Sequence, residues 1–184
     1  TKFGTIPAED LLDAIRVTVP SISKEENRFT LNGVLVEIKD GTATMVATDG
    51  HRLTLHTFKA PTLKSEQPLL IKRSSLDILA KAFAKESGNL VLKLDKDDDS
   101  EANHISVENT DGSVKVVMRK MEGSFPDYRR VIPDPKSFTH KATVNREALL
   151  GLIQQVIALK GKPNVVALSF RDGQLVGFAQ ANEK

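Results

Sequence analysis

The sequence contains no cysteine and no tryptophan. Without cysteine there are no disulfide scaffolds, thiolate metal sites or cysteine nucleophiles, and the chain suits a reducing compartment. Aromatic residues are few, eight Phe and one Tyr, too few for the stacking platforms that hold single-stranded nucleic acid. No apolar run approaches the length of about 18 residues that a membrane-spanning helix needs. The first seven residues lack the basic and apolar regions of a secretory signal. A chain opening on Thr1 without an initiator Met reads as a processed or recombinant fragment. Charge of one sign is also missing: 26 basic residues face 24 acidic ones, for a formal net charge of +2. Contact with nucleic acid would therefore depend on where charge is placed, not on its total.

What is present is a repeat. Leu11, Ile15 and Val19 recur at helical spacing, as do Leu76, Leu79, Ala80 and Phe83, and then Leu149, Leu152, Ile153 and Val156. The three helix starts lie about 70 residues apart, the self-similarity expected of a duplicated unit. Ser74 or Ser75 is a candidate cap for the second helix and Asn145 for the third. Strand patterns follow each helix: 28–38, 42–48 and 52–58, then 89–94, 104–109 and 113–118, then 164–170 and 174–180. The turns Lys39-Asp40-Gly41, Asp111-Gly112 and Arg171-Asp172-Gly173 join them, and Asp-Gly between alternating strands is a hairpin signal. Short strands at 2–6, 68–72 and 138–144 precede the helices. The unit is strand, helix and three-strand meander. It occurs twice in full and a third time without its last strand, giving an α+β domain of about 130 residues followed by half of another. The truncated third unit is expected to leave a strand edge open, which invites association. Residues 121–136 are rich in Gly and Pro and read as a linker. Phe125, Tyr128 and Val131 within it imply that it is pinned against a surface.

Few segments suggest chemistry. In Thr48-Asp49-Gly50-His51-Arg52-Leu53, an enzymatic reading makes His51 a base oriented by Asp49. Turn chemistry favours a tight bend at Asp49-Gly50 instead. His56, His104 and His140 stand alone. The acidic run 95–101 lacks the Gly and Glu that an EF-hand requires at its sixth and twelfth positions, so it reads as a solvated loop, and no metal site is expected. Gly161-Lys162 lacks the rest of a phosphate-binding loop. Lys72, Arg73, Lys81 and Lys85 lie at or along the second helix, and Lys24 and Arg28 lie in the loop after the first. Mobile cations of this kind suit phosphate contact as well as a solvated face.

Two strings carry a more specific signal: Leu31-Asn32-Gly33-Val34-Leu35 followed by Val46-Ala47-Thr48-Asp49-Gly50-His51-Arg52-Leu53, and Gly123-Ser124-Phe125-Pro126-Asp127-Tyr128-Arg129-Arg130-Val131-Ile132-Pro133. In wording, order and separation they resemble the middle-domain signatures of the bacterial sliding clamp, the β subunit of DNA polymerase III. The resemblance implies that 1–133 is the middle domain and 134–184 the first half of the C-terminal domain. It also implies a non-enzymatic, cytoplasmic processivity factor, with no cofactor, whose full-length form closes a homodimeric ring around duplex DNA, helices lining the hole and sheets forming the wall. Weak, sequence-independent phosphate contacts permit sliding, and Lys24, Arg28, Lys72 and Arg73 match the family's inner surface. The family further implies a pocket for short extended peptides of the polymerase, the clamp loader and repair proteins. The matching positions are Leu31, Thr48, Gly50, His51, Arg52, Leu53, Pro126, Arg130 and Val131, and other wall residues come from strands this sequence lacks. Leu31, Leu53, Pro126 and Val131 would offer an apolar floor, Gly50 a close backbone approach, and Arg52 and Arg130 hydrogen bonds at the rim. Two alternatives stay open: a stand-alone adaptor that binds such peptides without encircling DNA, and a small enzyme using His51 with Asp49.

Overall fold

The computed structural model describes residues 2–63, 65, 67–95, 104–158, 165–171 and 173–180. The chain divides into two compact units, Thr1–Asp127 and Tyr128–Lys184. The acidic run beyond Asp95, the Gly161-Lys162 pair and Asp172 of the last turn lie outside the described residues.

In the first unit, strand β1 (Lys2–Pro7) leads into helix α1 (Ala8–Thr18) and the meander β2 (Gly33–Lys39), β3 (Thr42–Thr48) and β4 (Leu53–Lys59). The pattern then repeats as β5 (Leu69–Lys72), α2 (Arg73–Ala82), β6 (Asn89–Asp95), β7 (His104–Asn109) and β8 (Lys115–Arg119). Two four-stranded sheets form, in the orders β4-β3-β2-β5 and β1-β6-β7-β8. The strand before each helix therefore joins the other half-unit's meander: Lys72 of β5 pairs with Gly33 of β2, and Pro7 of β1 with Asn89 of β6. This reciprocal exchange locks the halves together.

Of the spaced positions, Leu11 and Ile15 of α1 and Leu76 and Leu79 of α2 are buried. Val19 falls half-buried in a 3-10 turn after α1, Phe83 is buried just past α2, and on the third helix only Val156 is buried. Ala8, Leu11, Ala14, Ile15 and Thr18 of α1 and Leu76 and Leu79 of α2 are buried. They meet Ile6, Met45, Leu90 and Ile105 from the sheets in one apolar core. The buried Thr18 hydroxyl donates to the Ala14 carbonyl at 2.7 Å, which avoids an unpaired polar group. Glu9 and Asp10 in the first turn of α1 and Arg16 in its last complement the helix dipole. The β2–β3 hairpin turns on Asp40 (φ 50°) and Gly41 (φ 72°), the left-handed pair that a type I′ turn requires.

Two local expectations fail here. Residues 29–31 form a 3-10 turn, not the start of a strand, so β2 begins at Gly33. Neither Ser74 nor Ser75 caps α2. Lys72 stands at the cap position without a side-chain bond, because β5 feeds directly into the helix and the Arg73 N–H donates to the Asn32 carbonyl at 3.2 Å. The sheet ladder supplies the acceptor that a cap would have provided.

The second unit begins with 3-10 turns at Tyr128–Val131 and Pro135–Ser137. Helix α3 (Arg146–Ala158) is followed by β9 (Val165–Arg171) and β10 (Gln174–Gln180), paired antiparallel. Asn145 caps α3 as expected, its Oδ1 accepting the N–H of Glu147 at 2.9 Å and of Ala148 at 3.0 Å. The sheet has two strands rather than three, since 138–144 is irregular and exposed. In the first unit the strand before each helix is held by the other half-unit's meander, whereas 138–144 pairs with no strand among the described residues. The α3 face closes on the sheet where Gly177 lies against Leu152 and Val156. Leu150, Ile157, Phe170, Val176 and Phe178 remain exposed.

Candidate functional site

The four residues between β3 and β4 form a densely bonded turn. Asp49 Oδ1 accepts the backbone N–H groups of His51 and Arg52, both at 3.0 Å, and Oδ2 accepts Arg52 Nε at 3.0 Å. Thr48 Oγ1 accepts the Gly50 N–H at 3.1 Å and donates to the Arg52 carbonyl at 2.7 Å. The two N–H donors, with the Arg52 guanidinium added, hold the Asp49 carboxyl below its ordinary range. The carboxylate needed to orient His51 as a base is thus committed to the main chain of His51 and Arg52. His51 itself is exposed. The bend that turn chemistry favours is the one that forms.

Beside this hairpin lies the turn that carries Leu31. The Leu31 N–H donates to the Arg28 carbonyl at 2.8 Å, and the Leu31 carbonyl accepts the Ser23 N–H at 3.0 Å. Leu31 is half-buried. Arg28 also reaches across to the hairpin: Nη1 donates to the Asp49 carbonyl at 3.0 Å while Nε pairs with Glu25 at 3.0 Å. Gly50 has φ +89°, and a Cβ there would lie 2.6 Å from Arg28 Nη1. The space on that side of Gly50 is therefore filled by Arg28.

A third segment runs along the same turn. The Met121 N–H donates to the Leu70 carbonyl at 2.8 Å, and Met121 Sδ would lie 2.7 Å from a Cβ on Gly33. Gly123, at φ +105°, sits against Thr30, with a Cβ there 2.8 Å from Thr30 Cγ2. The beginning of the supposed linker is thus held at Met121 and Gly123 and leads to half-buried Phe125 and exposed Pro126. Of the three apolar residues expected to pin it, Tyr128 is buried but Val131 is exposed. The first unit thereby gathers Leu31, Thr48, Gly50, His51, Arg52 and Leu53 on two bonded turns. Arg130 and Val131 belong to the second unit, on its Tyr128–Val131 turn, where Val131 is 70% exposed. Tyr128 on the same turn is buried, with the Arg129 guanidinium carbon 4.5 Å from its ring centroid.

Of the four candidate phosphate contacts, Lys24, Arg28 and Lys72 are exposed and Arg73 is half-buried. Backbone bonds tie them to one stretch. Ser23, next to Lys24, bonds Leu31, and Arg73 bonds Asn32, while Lys72 pairs with Gly33. Arg28 and Arg73 are committed in part to Glu25 and to Asp77, the latter at 3.7 Å. Among the described residues no cluster of three His, Asp or Glu side chains could hold a metal ion, and no helix is long and apolar enough to cross a membrane.

A strand–helix–meander unit duplicated by strand exchange defines the DNA-clamp class of fold. Residues 5–127 match the family model of the DNA polymerase III beta subunit, central domain, and the chain belongs to that family. It is 31% identical over 173 residues to the beta sliding clamp of Chlamydia pneumoniae, covering 93% of this chain and 44% of that protein. It also resembles the sliding clamp of Pseudomonas aeruginosa, with a TM-score of 0.79, 26% identity, and 97% of this chain against 47% of that one. A Bartonella birtlesii sliding clamp bound to griselimycin aligns with a TM-score of 0.74 and 28% identity, over 93% of this chain and 45% of that one. The chain spans less than half the length of these relatives.

Proposed function

We propose that this chain is part of a sliding clamp that encircles duplex DNA and docks its partners through an extended-peptide pocket. In this reading 1–133 is the middle domain, 134–184 opens the C-terminal domain, the complete protein is a ring-shaped homodimer, and it works in the cytoplasm. The pocket comprises Leu31, Thr48, Gly50, His51, Arg52, Leu53, Pro126, Arg130 and Val131. Segments of the polymerase, the clamp loader and other clamp-binding proteins would bury apolar anchors there. Lys24, Arg28, Lys72 and Arg73 face the DNA. The supporting observation is that Leu31 and the 48–53 hairpin, far apart in sequence, are bonded together by Arg28. Griselimycin, to which the Bartonella birtlesii clamp is bound, is chosen as the ligand with which to test this site.

The test is amide shift mapping of the chain with griselimycin. Shifts at Leu31, 48–53 and 126–131, lost in Leu53→Ser and Val131→Asp, are expected. Shifts confined to α3, β9 and β10 would refute the pocket.

A further inference from the structure

Resting on the peptide-pocket reading above, we infer that Arg28 is a positioning residue for that pocket, a strut that sets the spacing of its two turns. The main chain of Arg28 holds one turn: its carbonyl accepts the Leu31 N–H at 2.8 Å, and its own N–H donates to the Glu25 carbonyl at 3.1 Å. Its side chain holds the other turn, through Nη1 and the Asp49 carbonyl at 3.0 Å. The planar guanidinium makes this possible, since Nε engages Glu25 while Nη1 engages Asp49. The hairpin is already braced internally by Asp49 and Thr48, so its own shape does not need Arg28. What Arg28 fixes is the hairpin's position relative to Leu31. The left-handed Gly50 serves the same end, because any side chain there would push Nη1 away from the Asp49 carbonyl.

Two readouts test the strut. Without ligand, Arg28→Ala should speed hydrogen exchange of the Gly50, His51 and Arg52 amides, and Arg28→Lys should restore part of the protection. A residue that only touched a bound peptide would leave this exchange unchanged. With griselimycin as the probe, Arg28→Ala should weaken binding about three- to tenfold, the effect of losing one exposed hydrogen bond of ordinary net strength. Glu25→Gln, which frees the guanidinium from its other side, should move both readouts the same way by less, and it carries the test if Arg28→Ala does not fold. Unchanged exchange and unchanged affinity in a variant whose parent binds at 48–53 overturn the strut alone. Griselimycin shifts that avoid 31 and 48–53 in the parent chain overturn the pocket reading, and the positioning role falls with it.

Discussion

The guanidinium of Arg28 occupies the side of Gly50 on which a side chain would project, 2.6 Å from where its Cβ would stand. A residue assigned to the DNA surface by resemblance thus fills the space beside a residue assigned to the peptide pocket. The pairing spans twenty-two positions of sequence and ties the position of one turn to that of the other.

This relationship predicts a graded glycine series. Gly112 has φ +75° with nothing near its absent Cβ, so Gly112→Ala should cost only the left-handed strain, about 1–2 kcal/mol. Gly50→Ala should cost more, because it also displaces Arg28. Urea unfolding of both variants in the parent and in an Arg28→Ala background measures the difference. A gap that persists without Arg28 would show that the crowding lies elsewhere.

Gly33→Ala should be worse tolerated than either. A Cβ there would stand 2.4 Å from the Ile71 carbonyl oxygen and 2.7 Å from Met121 Sδ. The carbonyl belongs to the paired strand β5 and cannot swing aside as a side chain can. Overpacking of this kind costs about 1–3 kcal/mol or more, with loss of protection at the Met121 amide as its local sign. Parent-like stability in denaturant would contradict the packing described.

Asp49 predicts a pH dependence. Its folded carboxyl is held below the ordinary range, first by the His51 and Arg52 N–H donors and then by the Arg52 charge. A depressed carboxylate stabilises the fold above its unfolded pKa, about 4 for Asp. That contribution declines as pH falls through this value toward the lower folded one. Glu108, lowered by Lys93, and Asp111, lowered by Ser113, act in the same direction. Urea midpoints followed from neutral to acid should fall less steeply for Asp49→Asn than for the parent. Parallel acid limbs would remove Asp49 from the account.

The chain should hold duplex DNA weakly and without sequence preference. If all four candidate cations touched phosphates, the slope of log K against log salt would reach about −3.6, at about −0.9 per contact. Lys24→Ala and Lys72→Ala should each reduce it. Arg28 and Arg73 should matter less, because Glu25 and Asp77 already engage them. Fluorescence anisotropy across a salt series decides, and tight binding at high salt would contradict the reading.

Residues 138–184 should exchange amide hydrogen faster than 1–127, most of all at 138–144, which makes no strand pairing. The apolar side chains left exposed on α3, β9 and β10 favour self-association, which light scattering would detect. Uniform protection of both regions in a monomer would show the third repeat to be self-sufficient.

The sequence by itself determined the duplicated half-unit of the first unit, the buried Leu11, Ile15, Leu76 and Leu79, the Asp40-Gly41 and Asp111-Gly112 turns and the Asn145 cap. Each of these depends on residues only a few positions apart, where spacing and backbone chemistry act directly. The strings around 48–53 and 123–133 also marked the family. Only the tertiary structure decided where the strands before the helices go. In the first unit they cross to the opposite meander, which removes the need for a cap at Ser74, and 138–144 stays unpaired where no meander receives it. The same holds for Arg28, whose composition and position fit a phosphate contact, and whose bond to Asp49 exists only because two distant turns are folded side by side. Local physics sets elements and turns; partners separated along the chain are set by how the sheets close over the core.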